Sequence, residues 1–193
     1  MKQAFLYLTF MLLATTYAFS QTTKDSSWIE QFRTFRDALY HRDKATVKQF
    51  FDFPVKNTSI WSLAQMGVAT DDKATENAIG KLWKSETPLT EKLFDLYFDQ
   101  IFIKDFTSCL LKIKTKELYE KGEAETPALS DDKIYFHTLN AKFDTGEKML
   151  ALNLRLYADT KLTDEDYGEG AVLIFYFRVI KGKLKFTDLF MAG

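Results

Sequence analysis

Two alternating apolar runs joined by Lys181-Gly182, AVLIFYFRVI (171–180) and KLKFTDLF (183–190), constrain the fold more than any other stretch. Aromatic and β-branched residues on both sides of a two-residue glycine-containing loop describe a β-hairpin. That loop length pairs Ile180 with Lys183, Val179 with Leu184, Arg178 with Lys185 and Phe177 with Phe186. Side chains alternate across a strand, so Phe175, Phe177, Val179, Leu184 and Phe186 share one face. Ile174, Tyr176, Arg178, Lys185 and Thr187 share the other. Arg178, which interrupts an otherwise apolar run, therefore belongs to the second face and not to the core.

The same parity extends upstream. Segments 106–119, 133–143 and 148–158 also alternate, with Gly122, Pro127, Gly146, Gly168 and Gly170 punctuating the connections. Leu150, Leu152, Leu154 and Leu156 point inward and Ala151, Asn153, Arg155 and Tyr157 outward. Ile134 and Phe136 are expected inside, with Tyr135 and His137 outside. In 106–119, Cys109, Leu111 and Ile113 are expected inside, with Lys112, Lys114 and Lys116 outside. The outer face then reads as basic and tyrosine-bearing.

Ahead of the strands the period changes. Trp28, Phe32, Phe35 and Leu39 form one stripe of a helix capped by Ser26 or Ser27. Asp43 caps a second helix with Val47, Phe50 and Phe51 inward, and Pro54 ends it. Residues 55–61 look extended, and 70–80 fit either a loop or a short helix. A third helix starts at Thr87-Pro88 and places Leu93, Phe94, Tyr97, Phe98 and Ile101 at helical spacing. Helices followed by an antiparallel meander make an α+β fold. With its FFDFPV hairpin, the helix TPLTEKLFDLYFDQIF and the closing strands, the chain resembles the NTF2-like (SnoaL-like) superfamily, particularly its secreted, functionally uncharacterised bacterial members. The resemblance implies a curved sheet wrapped around helices into a cone, often with a pocket at the wide end and often dimerising through the sheet. It brings no catalytic residue across, because no Asp or His motif of that superfamily can be matched here.

Residues 1–20 read as a signal peptide: Lys2, an apolar run from Ala4 to Leu13, and small residues Ala18 and Ser20 before Gln21. The mature domain is expected at 21–193, exported to the periplasm or the exterior, with no later run long enough for a membrane helix. Without Lys2, 26 basic residues become 25 against 27 acidic, a net charge of −2, which does not suggest nucleic-acid binding. The single cysteine, Cys109, excludes an intramolecular disulfide and reads as a core thiol.

No catalytic signature stands out and no cofactor or metal is implied. Two separated histidines, His41 in a turn and His137 on a strand, lack partners at ligand spacing. DEDYGEG has glycine where an EF-type loop needs its fifth residue. Asn57-Thr58-Ser59 matches a glycosylation sequon. Asp188, inward by parity after Leu184 and Phe186, is the one candidate general base, with Thr138 or Asn140 nearby; a strand end turning the acid to water is the plainer account. The functional expectation is a non-catalytic binding domain using Arg155, Tyr157, Tyr176, Arg178, Lys185 and His137 for an acidic protein, an anionic ligand or a homodimer mate. A solvated sheet face rich in lysine is the plain alternative. The enzymatic or lipophile-carrier alternative uses the cone interior, with Asp188 as its polar group.

Overall fold

The computed structural model describes residues 28–158 and 170–192. The signal peptide, its cleavage point, the Ser26 and Ser27 caps and the acids of DEDYGEG lie outside these residues.

Helix α1 (Trp28–Tyr40) buries Ile29, Phe32, Phe35, Ala38 and Leu39, the stripe that its period implies. Arg42 ends it in the left-handed region, φ 55°, while the Asp43 N–H reaches back to the Ala38 carbonyl at 2.8 Å. Asp43 then caps α2 (Lys44–Lys48), its carboxylate accepting from the Thr46 N–H at 3.1 Å. Val47, Phe50 and Phe51 are buried as expected. Beyond Pro54, Val55 pairs with Leu89 in an isolated bridge.

Two expectations in the first half need correction, and one open choice is resolved. Residues 55–61 are not an extended segment: α3 (Ser59–Met66) begins within them, because Ile60, Trp61, Leu63 and Ala64 make a helical stripe that is wholly buried. The stretch that fitted loop or helix is α4 (Lys73–Lys84), capped by Asp72. Pro88 does not start the next helix. Thr90 caps α5 (Glu91–Leu96), and the chain breaks at Tyr97 before α6 (Phe98–Ile101).

Residues 106–119 are not a strand either. They form α7 (Lys104–Lys112) and the start of α8 (Thr115–Lys121). The alternation of Lys112, Lys114 and Lys116 imitates a strand, but Phe106, Cys109, Leu110 and Ile113 also sit at i, i+3, i+4 and i+7. Those four are buried and Leu111 is exposed, so the helical period wins.

The sheet is antiparallel, curved and open, in the order β1-β2-β3-β4-β5: β1 (Glu123–Glu125), β2 (Tyr135–Asp144), β3 (Met149–Ala158), β4 (Ala171–Ile180) and β5 (Lys183–Ala192). With eight helices among the described residues, the class is α+β. The β4–β5 register is the expected one, Arg178 opposite Lys185 and Phe177 opposite Phe186. Positive φ at both loop residues, 50° at Lys181 and 77° at Gly182, matches the turn whose twist suits a two-residue hairpin.

Strand β2 has the opposite parity to the one expected. Its apolar residues belong to two incompatible sets, Ile134 with Phe136 and Leu139 with Ala141 and Phe143. The second set wins by pairing with Leu154, Leu152 and Leu150 of β3. His137 is thereby turned inward and buried, whereas Ile134 is exposed and Phe136 faces outward against Tyr157. In β5, a bulge after Phe186 leaves Thr187 unpaired and sets Asp188 opposite Tyr176. Burial resumes at Leu189, so Asp188 is exposed and not inward.

Phenylalanines fill the space between sheet and helices. Phe106 stacks on Phe175 at 4.3 Å, Phe35 meets Phe177 at 5.0 Å and Phe51 meets Phe186 at 4.9 Å. Each fully buried ring contributes roughly 1.5–3 kcal/mol of transfer free energy. Other parts of the chain meet backbone groups along β5 and along the outer side of β2. Along β5, Gln31 bonds Leu184 N–H and the Gly182 carbonyl, the Phe50 carbonyl accepts from Phe186 N–H at 2.7 Å, and Asn57 donates to the Leu189 carbonyl at 2.9 Å. Along β2, β1 pairs with residues 140–142, Thr126 bonds Leu139, and Leu129 exchanges both backbone bonds with His137.

Candidate functional site

The face of the sheet turned away from the helices carries five of the six expected binding residues, but not as one patch. Arg155 lies between Thr138 and Val172, whereas Arg178 lies six residues further along β4. At about 3.4 Å per residue that is roughly 20 Å. At the far end, Arg178 is held by Glu147 at 3.5 Å and Lys185 by Asp52 at 2.7 Å. The like-charged pair is therefore compensated within the chain.

The basic character expected of this face is corrected on two counts. Lys112, Lys114 and Lys116 sit on α7, α8 and the turn between them, and the acids Glu123, Glu125, Asp144 and Asp188 stand on the exposed parts of β1, β2 and β5. What occupies the middle is apolar. Ile174 lies between Asn153 and Phe190, Val172 between Arg155 and Ala192, and Phe136 stacks on Tyr157 at 5.8 Å. Phe190 is 55 % exposed. Its outward position follows only once the bulge at Thr187 is counted, so simple alternation missed it.

Asp188 takes part in a structural contact. Asn57 donates to its carboxylate and to the Leu189 carbonyl, while the Asn57 side-chain oxygen accepts from Ser59 N–H at 2.8 Å. The sequon asparagine is thus bonded on both ends of its amide. His41 is exposed in the turn after α1, as expected.

A second feature went unseen in the sequence: a cleft of about 680 Å³ where the C-terminal ends of α1 and α3 meet the bend between α6 and α7. One of its sides, with Thr107, Ser108 and Leu111, comes from the segment read as strand. Leu39, Phe98, Phe102 and Ile103 form its buried lining, and Tyr40, Met66 and Leu111 are exposed around it. Gly67 makes one wall possible, since a Cβ there would lie 2.4 Å from the Gln100 carbonyl oxygen. Arg42 pairs with Asp99 across the mouth, and Lys104 pairs with Asp131 at 2.5 Å. The Lys104 hydrogen bond raises the lysine's pKa and lowers that of Asp131. Asp105 also lines the cleft, with His137 Nδ1 behind it at 3.9 Å. Deeper in α7, burial pushes the Cys109 thiol up to about 11, against a weaker opposing effect of the Thr126 hydroxyl, which donates to its Sγ at 3.8 Å.

Among the described residues no group of three or more His, Cys, Asp or Glu is placed to hold a metal ion, and no helix is long and apolar enough to cross a membrane. Comparisons with protein-family models, curated proteins and solved structures found no match to this chain.

Proposed function

We propose that this chain is an exported, non-catalytic binding module of NTF2-like architecture that associates with a second copy of itself through the open face of its sheet. The observation that carries this reading is the apolar strip of Phe136, Tyr157, Val172, Ile174 and Phe190, partly exposed on a face that no helix among the described residues covers. An aromatic centre flanked by charges of both signs is the composition of an interface core and rim. Internal compensation of Arg178 and Lys185 weakens the case for an acidic or anionic partner and leaves self-association as the better fit. The carrier alternative loses ground because phenylalanine rings occupy the space between sheet and helices. Its polar group, Asp188, stands outside that space.

Sedimentation of the chain from Gln21 onward tests the proposal. Wild type should dimerise with rising concentration. Replacing Ile174 and Phe190 together by aspartate should give a folded monomer, as judged by circular dichroism. A wild type that stays monomeric throughout, or a double variant that dimerises equally well, would sink it. Export is tested separately, by whether the secreted protein begins at Gln21.

A further inference from the structure

We propose that the cleft at the α6–α7 bend binds small amphipathic amines, each an apolar chain or ring with one ammonium group, and that Asp105 receives the ammonium. The volume, about 680 Å³, lies within the range of small-molecule sites, roughly 300–1,000 Å³. Its buried lining is aliphatic and aromatic, which selects an apolar body. Tyr40, Met66 and Leu111, large side chains left in contact with water, converge on the same opening and would be covered by such a body.

The charges choose the head group. Four charged side chains line the cleft, and three already hold a full counter-charge: Arg42 and Asp99 each other, and Lys104 the carboxylate of Asp131. Asp105 differs. Its ion-pair partner among the described residues is the imidazole of His137, at 3.9 Å and thus beyond hydrogen-bond reach, and the Asp105 side chain remains 41 % exposed. An ionised carboxylate offers about four acceptor sites. No hydrogen bond between described residues ends on this one. An ammonium ion supplies the donors and the opposite charge together, whereas a ligand carboxylate would meet Asp105 as a like charge and find both cations engaged. Helix α7 packs against the sheet side that holds Phe175, opposite to Ile174, so this site is independent of the proposed dimer face.

Three probes of equal chain length separate the contributions: n-octylammonium, n-octanol and n-octanoate, titrated calorimetrically into the chain from Gln21 onward. The amine should bind about tenfold tighter than the alcohol, and the carboxylate weakest. Asp105→Asn, nearly isosteric and at a partly exposed position, should erase the preference while leaving octanol affinity within about twofold. Leu111→Lys, which sets a cation at the rim, should weaken the amine more than the alcohol. Absence of amine binding, an amine no tighter than the alcohol in wild type, or a preference that survives Asp105→Asn would each overturn the proposal. The first two need no variant to fold.

Discussion

Arg178 and Lys185 face each other directly across β4 and β5, and each turns to its own carboxylate, Glu147 on one side and Asp52 on the other. Two like charges at a cross-strand position would be destabilising alone. Here the repulsion is dispersed into two separate ion pairs anchored in different parts of the chain.

The two cations should not respond alike to reversal. Arg178→Glu trades a loose pair with Glu147 for a new one with Lys185, so stability should stay within about 0.5 kcal/mol of wild type. Lys185 is only 17 % exposed and sits beside Asp52. Lys185→Glu should therefore destabilise by roughly 1 kcal/mol, less at high salt. Chemical denaturation at two ionic strengths measures both, and equal losses would contradict the described pairing.

Phe106 joins α7 to the sheet by stacking on Phe175, and it is fully buried. Phe106→Ala should cost about 3–5 kcal/mol through lost burial and the cavity left behind. The same change at Tyr119, an exposed ring on α8, should cost under about 1 kcal/mol. Urea unfolding of the two variants side by side gives the comparison.

Cys109 makes a pH prediction with a definite sign. Its folded pKa of about 11 lies above the ordinary thiol value of 9.0, because burial disfavours the thiolate. Below pH 9 both states hold the proton and the thiol adds no pH dependence. Between about 9 and 11 the unfolded chain loses it first, so stability falls as pH rises. The difference between wild type and Cys109→Ala, followed by denaturant titration over that window, isolates this contribution. Native protein should also resist thiol reagents at pH 8 until denaturant is added.

Gly67 abuts the α6 backbone so closely that a methyl group cannot fit without movement of Gln100. Gly67→Ala should destabilise by about 1–3 kcal/mol, the usual range for overpacking. Gly80→Ala is the control. Its nearest neighbour is the flexible end of the Gln65 side chain at 3.2 Å, and the better helix former in α4 should leave stability equal or slightly higher. Thermal melts of both variants decide it.

What was legible followed from unmixed patterns. The four inward leucines of β3 and the β4–β5 hairpin register were readable because one periodicity fitted all their residues. Where two patterns overlapped, local reading chose wrongly. Lys112, Lys114 and Lys116 masked a helix, and Ile134 with Phe136 masked the parity that Leu139, Ala141 and Phe143 impose by pairing with β3. Asp188 failed for a third reason: a single inserted residue, Thr187, cannot be seen without the partner strand. The cleft escaped altogether, since its walls are assembled from helix ends far apart in the chain.

The sheet edges limit how copies of this protein can join. Gln31, Phe50 and Asn57 along β5, with β1, Thr126 and Leu129 along β2, occupy the backbone groups that an incoming strand would need. Growth by strand addition, the route to open-ended fibres, is thereby opposed along β5, and the other edge offers only the three residues of β1. Stacking face upon face stays open, and a two-fold pairing of identical faces consumes the surface that it uses. Association should therefore stop at two, with sample turbidity flat as concentration rises.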